Sequence, residues 1–152
     1  MTILVAIDPG AKHLGWARFV DGVLSTCGLS KASMPGAHAD NVCEGSKHDR
    51  PDVVIVEQMS PRDLPNEADL LRVTETGCYV AGTLQPSTFR LVPARTWKGS
   101  VPKDIHHRRV RAKLSTVEIA RLERGLEGVA PRLQHNVLDA VGIGLYAVGR
   151  KA

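Results

Sequence analysis

Three acidic residues of this chain stand where acids are out of place. Asp8 closes the apolar run ILVAI, Glu57 closes VVIV, and Asp139 interrupts the apolar stretch NVLDAVGIGLYAV of residues 136–148. Carboxylates are rarely buried unless they are paired or bound to a cation. Taken singly, each has an ordinary explanation. Asp8 caps the turn after its strand, Glu57 pairs with an arginine, and Asp139 favours the dipole as the N3 residue of a helix capped by Asn136. Three such acids, each at the end of an apolar element, point instead to one shared site. Clustered carboxylates repel, so either one of them keeps a proton or a cation joins them, and hard oxygen donors prefer Mg²⁺ or Mn²⁺. A divalent pair about 4 Å apart activates water and stabilises the leaving oxygen in phosphodiester hydrolysis, which makes this a nuclease site. His135, four residues before Asp139, reaches the same face if the helix extends back to it. Asn136 competes for that place, although capping explains it adequately.

The elements that must carry these residues are legible in outline. Ile3–Ile7 is aliphatic with little alternation, as in a central strand covered on both faces. Leu14–Val20 and Val23–Leu29 read as strands joined by the hairpin dipeptide Asp21-Gly22. Asp52–Gln58 repeats the pattern of the first strand, and alternation puts Val53, Ile55 and Glu57 on one face just as it does Leu4, Ala6 and Asp8. If the two strands are adjacent and parallel, both acids leave the sheet at one edge. Ser30–Arg50 is expected to be a loop with one poor helix near Ala37–Glu44, and Met59–Asn66 a loop over the acidic edge.

Glu67–Leu84 has helical spacing and two apolar flanks, which calls for two packing partners. One is the sheet; the other is the same helix of a second subunit, with Gly77 and Gly82 permitting close approach. Thr88–Val92 is a short strand, Pro93–Gly99 a turn, and Lys103–Leu114 a basic helix. Ser115-Thr116-Val117-Glu118 fits a capping box opening a helix that Gly125 stops. The mixture of a meander with crossover-connected strands predicts an α/β fold with a mixed sheet and helices on its faces.

At 152 residues with 43% hydrophobic content the chain is expected to be one domain. Net charge is only +4, but residues 95–113 hold seven cations against Asp104 alone, leaving the remainder at −2. Such local positive charge suits a polyanion. Three cysteines without a C-x-x-C pair, no basic leader and no long apolar span predict a soluble intracellular protein.

The opening AIDPGAKHLGWA resembles the first-strand motif of RuvC-type Holliday junction resolvases, VVIVEQM their fourth-strand motif, and HNVLDAVGIGLYA their last helix. LLRVTETGCYVAGTLQ resembles the helix through which that family dimerises. The resemblance runs through most of the chain and fits worst at Ser30–Arg50. It implies a five-stranded RNase H-like nuclease domain over residues 1–152. It places Asp8, Glu57 and Asp139 as metal carboxylates of a junction endodeoxyribonuclease that uses Mg²⁺, with Mn²⁺ able to substitute and two ions per site. The family carries an acid or a histidine three residues before the last acid, where this chain has Asn136. Either His135 completes the site, or Asn136 binds weakly, or three acids suffice; His135 is the favoured choice. The resemblance further implies that Lys98 and Lys103 contact DNA or support catalysis, with Arg108, Arg109, Arg111 and Lys113 as phosphate contacts. The partners expected are branched DNA and a second copy docked through Glu67–Leu84, in the cytoplasm of a bacterial or phage-infected cell. Trp97 and Met59 are either core residues or wedges against unstacked bases. Rival readings are a nuclease for flaps or RNA–DNA hybrids, and a silent junction-binding module. An ATP-binding protein of the actin and sugar-kinase type needs two large lobes that 152 residues do not supply.

Overall fold

Five strands form one sheet in the order β3-β2-β1-β4-β5, comprising β1 (Ile3–Asp8), β2 (His13–Val20), β3 (Val23–Lys31), β4 (Val53–Gln58) and β5 (Thr88–Pro93). The computed structural model describes residues 1–47, 49–64 and 66–152. His48, within the expected loop Ser30–Arg50, and Pro65, within the expected loop Met59–Asn66, lie outside the described residues. As its aliphatic run predicts, β1 is central, antiparallel to β2 and parallel to β4. The β2–β3 hairpin turns on Asp21 and Gly22, both at positive φ (49° and 79°), the backbone that a two-residue turn of this twist requires.

The two faces of the sheet carry separate cores. On one, Val5, Ile7, Val54 and Val56 pack under α1 (Pro35–Gly45) and α2 (Glu67–Thr83). On the other, Leu4, Ala6, Ala17, Phe19 and Ile55 meet α6 (Gln134–Ala147) and residues of α3 (Ala94–Trp97), α4 (Lys103–Ala112) and α5 (Thr116–Leu126). Each fully buried Val, Leu or Ile here contributes roughly 1.5–3 kcal/mol. Glu57 and Asp8 share the second face, so the register that buries Ile55 and Ala6 also aims both acids toward α6.

Several expectations need correction. The last helix begins at Gln134 after a 3₁₀ turn at Pro131–Leu133, so Asn136 is not its cap and Asp139 lies in the second turn. The Asn136 side chain donates instead to the Leu133 carbonyl. Gly125 does not stop α5, which runs through it to Leu126; a Cβ at 125 would lie 2.5 Å from the Cys27 carbonyl oxygen, so this glycine serves close packing on β3. The capping box at Ser115 and Glu118 is present. Pro93–Gly99 contains the single helical turn α3. Gly77 faces this chain's own sheet, where a Cβ would meet Val56 and Pro9, while a Cβ at Gly82 would meet nothing among the described residues. Among the described residues no helix is long and apolar enough to cross a membrane.

Candidate active site

Asp8 and Glu57 leave β1 and β4 at the same edge, and α6 lays Asp139 across it. The close approach of α6 depends on Gly15, the register partner of Asp8 on β2; a Cβ there would stand 1.9 Å from the Asn136 carbonyl oxygen. Asp8 is 9% exposed and Asp139 6%. Burial, then Asp139 and Glu57, push the Asp8 carboxyl well above its ordinary value, against Lys103 and Lys98. Burial and then Asp139 push Glu57 up to about 7, despite Lys98 and a hydrogen bond from Trp97. Burial also acts to raise Asp139, but His107, Lys98 and Lys103 outweigh it and hold this acid below its usual range. Burial first, and the neighbouring acids second, thus make two of the three carboxyls retain protons more tightly.

Buried carboxylates that repel one another are a set of hard oxygen donors, which fits a divalent cation of the Mg²⁺ or Mn²⁺ type. Among the described residues no three His, Cys, Asp or Glu side chains converge closely enough to ligate one ion as they stand. The acids influence one another's protonation across the site without closing to ligand distance.

The two residues expected to compete for the fourth position are both turned to the backbone at the start of α6. His135 lies on the helix, one turn before Asp139, and its Nδ1 donates to the Arg132 carbonyl at 2.8 Å, leaving Nε2 free of that bond. Burial and Lys103 push its imidazole below the ordinary value, so it is neutral near pH 7. Asn136 is engaged with Leu133.

The side chains that do touch the acids come from the segment after β5. Trp97 Nε1 donates to Glu57 Oε2 at 2.9 Å, and His107 Nε2 donates to Asp139 Oδ1 at 2.8 Å. Lys103 Nζ stands 3.7 Å from Asp139 Oδ2. Trp97 is 1% exposed, so it belongs to the core rather than to a wedge. His107 was not singled out in the sequence, although its i, i+4 spacing from Lys103 puts the two on one helix face.

Of the other basic residues, Arg108 and Arg109 are exposed on α4, and Lys113 follows its end. Arg108 makes a loose surface pair with Asp104 at 3.9 Å. Arg111 is ion-paired with Glu123 of α5. Lys98 lies 5.6 Å from the centroid of the Trp97 ring.

A five-stranded mixed sheet of this order, flanked by helices and carrying acids on its central parallel pair, is the RNase H-like fold. Solved Holliday junction resolvases share this fold. A solved structure of RuvC from T. thermophilus, in complex with Holliday junction substrate, superposes with a TM-score of 0.67 at 22% identity, covering 98% of this chain and 94% of that one. The Fowlpox virus resolvase, solved with substrate Holliday junction DNA, gives 0.60 at 15% identity over 97% of each chain. The yeast mitochondrial Holliday junction resolvase gives 0.51 at 13% identity, over 97% of this chain and 77% of that one. No protein-family model and no curated protein matches the sequence.

Proposed function

We propose that this protein is a divalent-metal-dependent endonuclease that resolves four-way DNA junctions by paired nicks. The observation that carries the reading is the meeting of Asp8, Glu57 and Asp139, buried and mutually repelling, at one sheet edge beside the cationic face of α4. The likeness of the fold to three resolvases, two of them solved with junction DNA, supports it.

In this reading the three carboxylates hold Mg²⁺ or Mn²⁺, two ions per site, which when bound supply activated water and charge stabilisation at the leaving oxygen. His135, neutral and one turn from Asp139, is a further candidate ligand through Nε2. Lys98 and Lys103 approach the phosphate to be cut. Arg108, Arg109 and Lys113 hold the duplex arms through phosphates, which positions DNA without reading its sequence. Arg111, spent on Glu123, contributes less. Paired nicks need two sites related by a twofold axis, so the protein acts as a homodimer. The outward stripe of α2, with Leu71 62% and Tyr79 54% exposed, is its docking face.

The test is nicking of a mobile four-way junction with and without Mg²⁺ or Mn²⁺, beside flap and RNA–DNA hybrid substrates. Metal-dependent paired nicks in the junction, lost in Asp8→Asn by at least about 100-fold, are expected; outer-layer residues of metal sites alone are typically worth 10–100-fold. Preferential cutting of flaps or hybrids would replace the junction by another substrate. Tight junction binding without cutting would make the protein a binding module.

A further inference from the structure

The segment after β5 is built at a cost that packing alone does not explain. His106 is 1% exposed, yet neither of its ring nitrogens has a hydrogen-bond partner among the described residues. An unsatisfied buried polar group is costly, because it has given up its bonds to water and gained none in return. The imidazole stands edge-on to Trp97, with ring centroids 5.0 Å apart. Both rings press on α6 at Gly142, where a Cβ would lie 2.8 Å from Trp97 Cζ3 and 3.0 Å from His106 Nε2. Three elements are therefore shaped to fix one indole, and that indole donates to Glu57. The neighbouring residue, His107, donates to Asp139. One short stretch thus supplies an N–H to each of two mutually repelling acids.

We propose that Trp97 and His107 are positioning residues that each hold one carboxylate oxygen, Glu57 Oε2 and Asp139 Oδ1 respectively, so that the other oxygen of each acid is kept for an incoming divalent cation. The proposal rests on the metal-site reading above. Two acids that repel each other turn apart unless something holds them, and a buried N–H donor holds a carboxylate in one rotamer without adding a ligand. Outer-layer donors of this kind are typically worth 10–100-fold in metal affinity. His107 then supplies from α4 part of the order that the sequence leads one to seek at His135 or Asn136 of α6.

Mn²⁺ binding by the DNA-free protein, measured by calorimetry, tests this, with thermal melting of each variant to establish folding. His107→Leu removes the donor and should weaken Mn²⁺ binding about 10–100-fold, while His107→Gln keeps an N–H at similar reach and should stay within about threefold of the natural protein. Trp97→Phe keeps the ring but not the N–H and should weaken binding about tenfold, asking the same question at Glu57 even if His107→Leu fails to fold. Natural affinity in folded His107→Leu and Trp97→Phe, with Asp8→Asn unable to bind, overturns the positioning roles and leaves the metal site standing. Equal loss in His107→Gln and His107→Leu also overturns positioning, since the imidazole itself would then be the ligand. Natural affinity in Asp8→Asn overturns the metal-site reading and this proposal with it.

Discussion

Asp8 and Glu57 stand in phase on neighbouring parallel strands, two residues beyond the register pair Ala6 and Ile55, so that the pairing which fills the core also sets two acids side by side. Their burial, with the repulsion from Asp139 that adds to it, is a property of the folded state alone, and it has consequences for stability.

Glu57 is pushed up to about 7 from an ordinary value of 4.5, and Asp8 is raised as well. A carboxyl with a raised folded pKa binds more protons folded than unfolded, so stability falls as pH rises through the interval from about 4.5 to about 7. For Glu57, partly open to solvent, the loss is roughly 1–3 kcal/mol. Metal-free protein should therefore melt lower at pH 8 than at pH 5.5. Asp8→Asn or millimolar Mg²⁺ should recover part of the difference at pH 8. Melting curves at both pH values check this; a natural protein insensitive to pH and to Asp8→Asn contradicts it.

Glu118 behaves in the opposite sense. It is 2% exposed, and burial acts to raise it, but Arg150, the Ser115 and Leu24 amides and the Ser115 hydroxyl hold it down to about 2. Arg150 Nη1 and Nη2 donate to its two oxygens at 2.7 and 2.9 Å. The stabilisation is fully present above about pH 4.5 and is lost as pH falls toward 2. Glu118→Gln should cost about 3 kcal/mol at pH 7 by leaving Arg150 unpaired, and much less at pH 3. Denaturant unfolding at the two pH values separates these outcomes.

Junction affinity should fall with salt, with a log–log slope of about −0.9 for each phosphate neutralised. Arg109→Ala should make that slope shallower by about one and weaken all junctions alike. Arg111→Ala should instead act through the α4–α5 contact with Glu123, costing at most about 1 kcal/mol of stability with little change in slope. Titrations across a salt series give both numbers, and an affinity indifferent to salt would refute the role assigned to the basic helix.

If α2 is the dimer face, a charge placed on its outward side should split the dimer while the fold survives. Leu71→Glu with Tyr79→Glu should halve the mass seen in sedimentation and leave the melting temperature of the monomer near that of the natural chain at low concentration. Cys78 is exposed on α2, seven residues from Leu71, and should cross-link two copies under mild oxidation. An unchanged mass for the double variant would move the interface elsewhere.

Local pattern alone determined most of the scaffold. Aliphatic runs marked β1 and β4, Asp21-Gly22 marked the hairpin, and Ser115 with Glu118 marked the start of α5, because each depends on side chains close in sequence. The same alternation put Asp8 and Glu57 in phase. Contacts between distant segments were decided only by the tertiary structure. The start of α6 moved to Gln134 through the 3₁₀ turn before it, which carried Asp139 into the second turn. Gly125 and Gly77 read as a stop and as a partner contact, yet both are places where a helix lies too near the sheet for a Cβ, a fact with no local signature. In the sequence, nothing separates His107 from the other residues of the basic stretch 103–114. Its bond to Asp139 spans 32 residues and lies beside the place where Gly142 leaves room for Trp97 and His106 against α6.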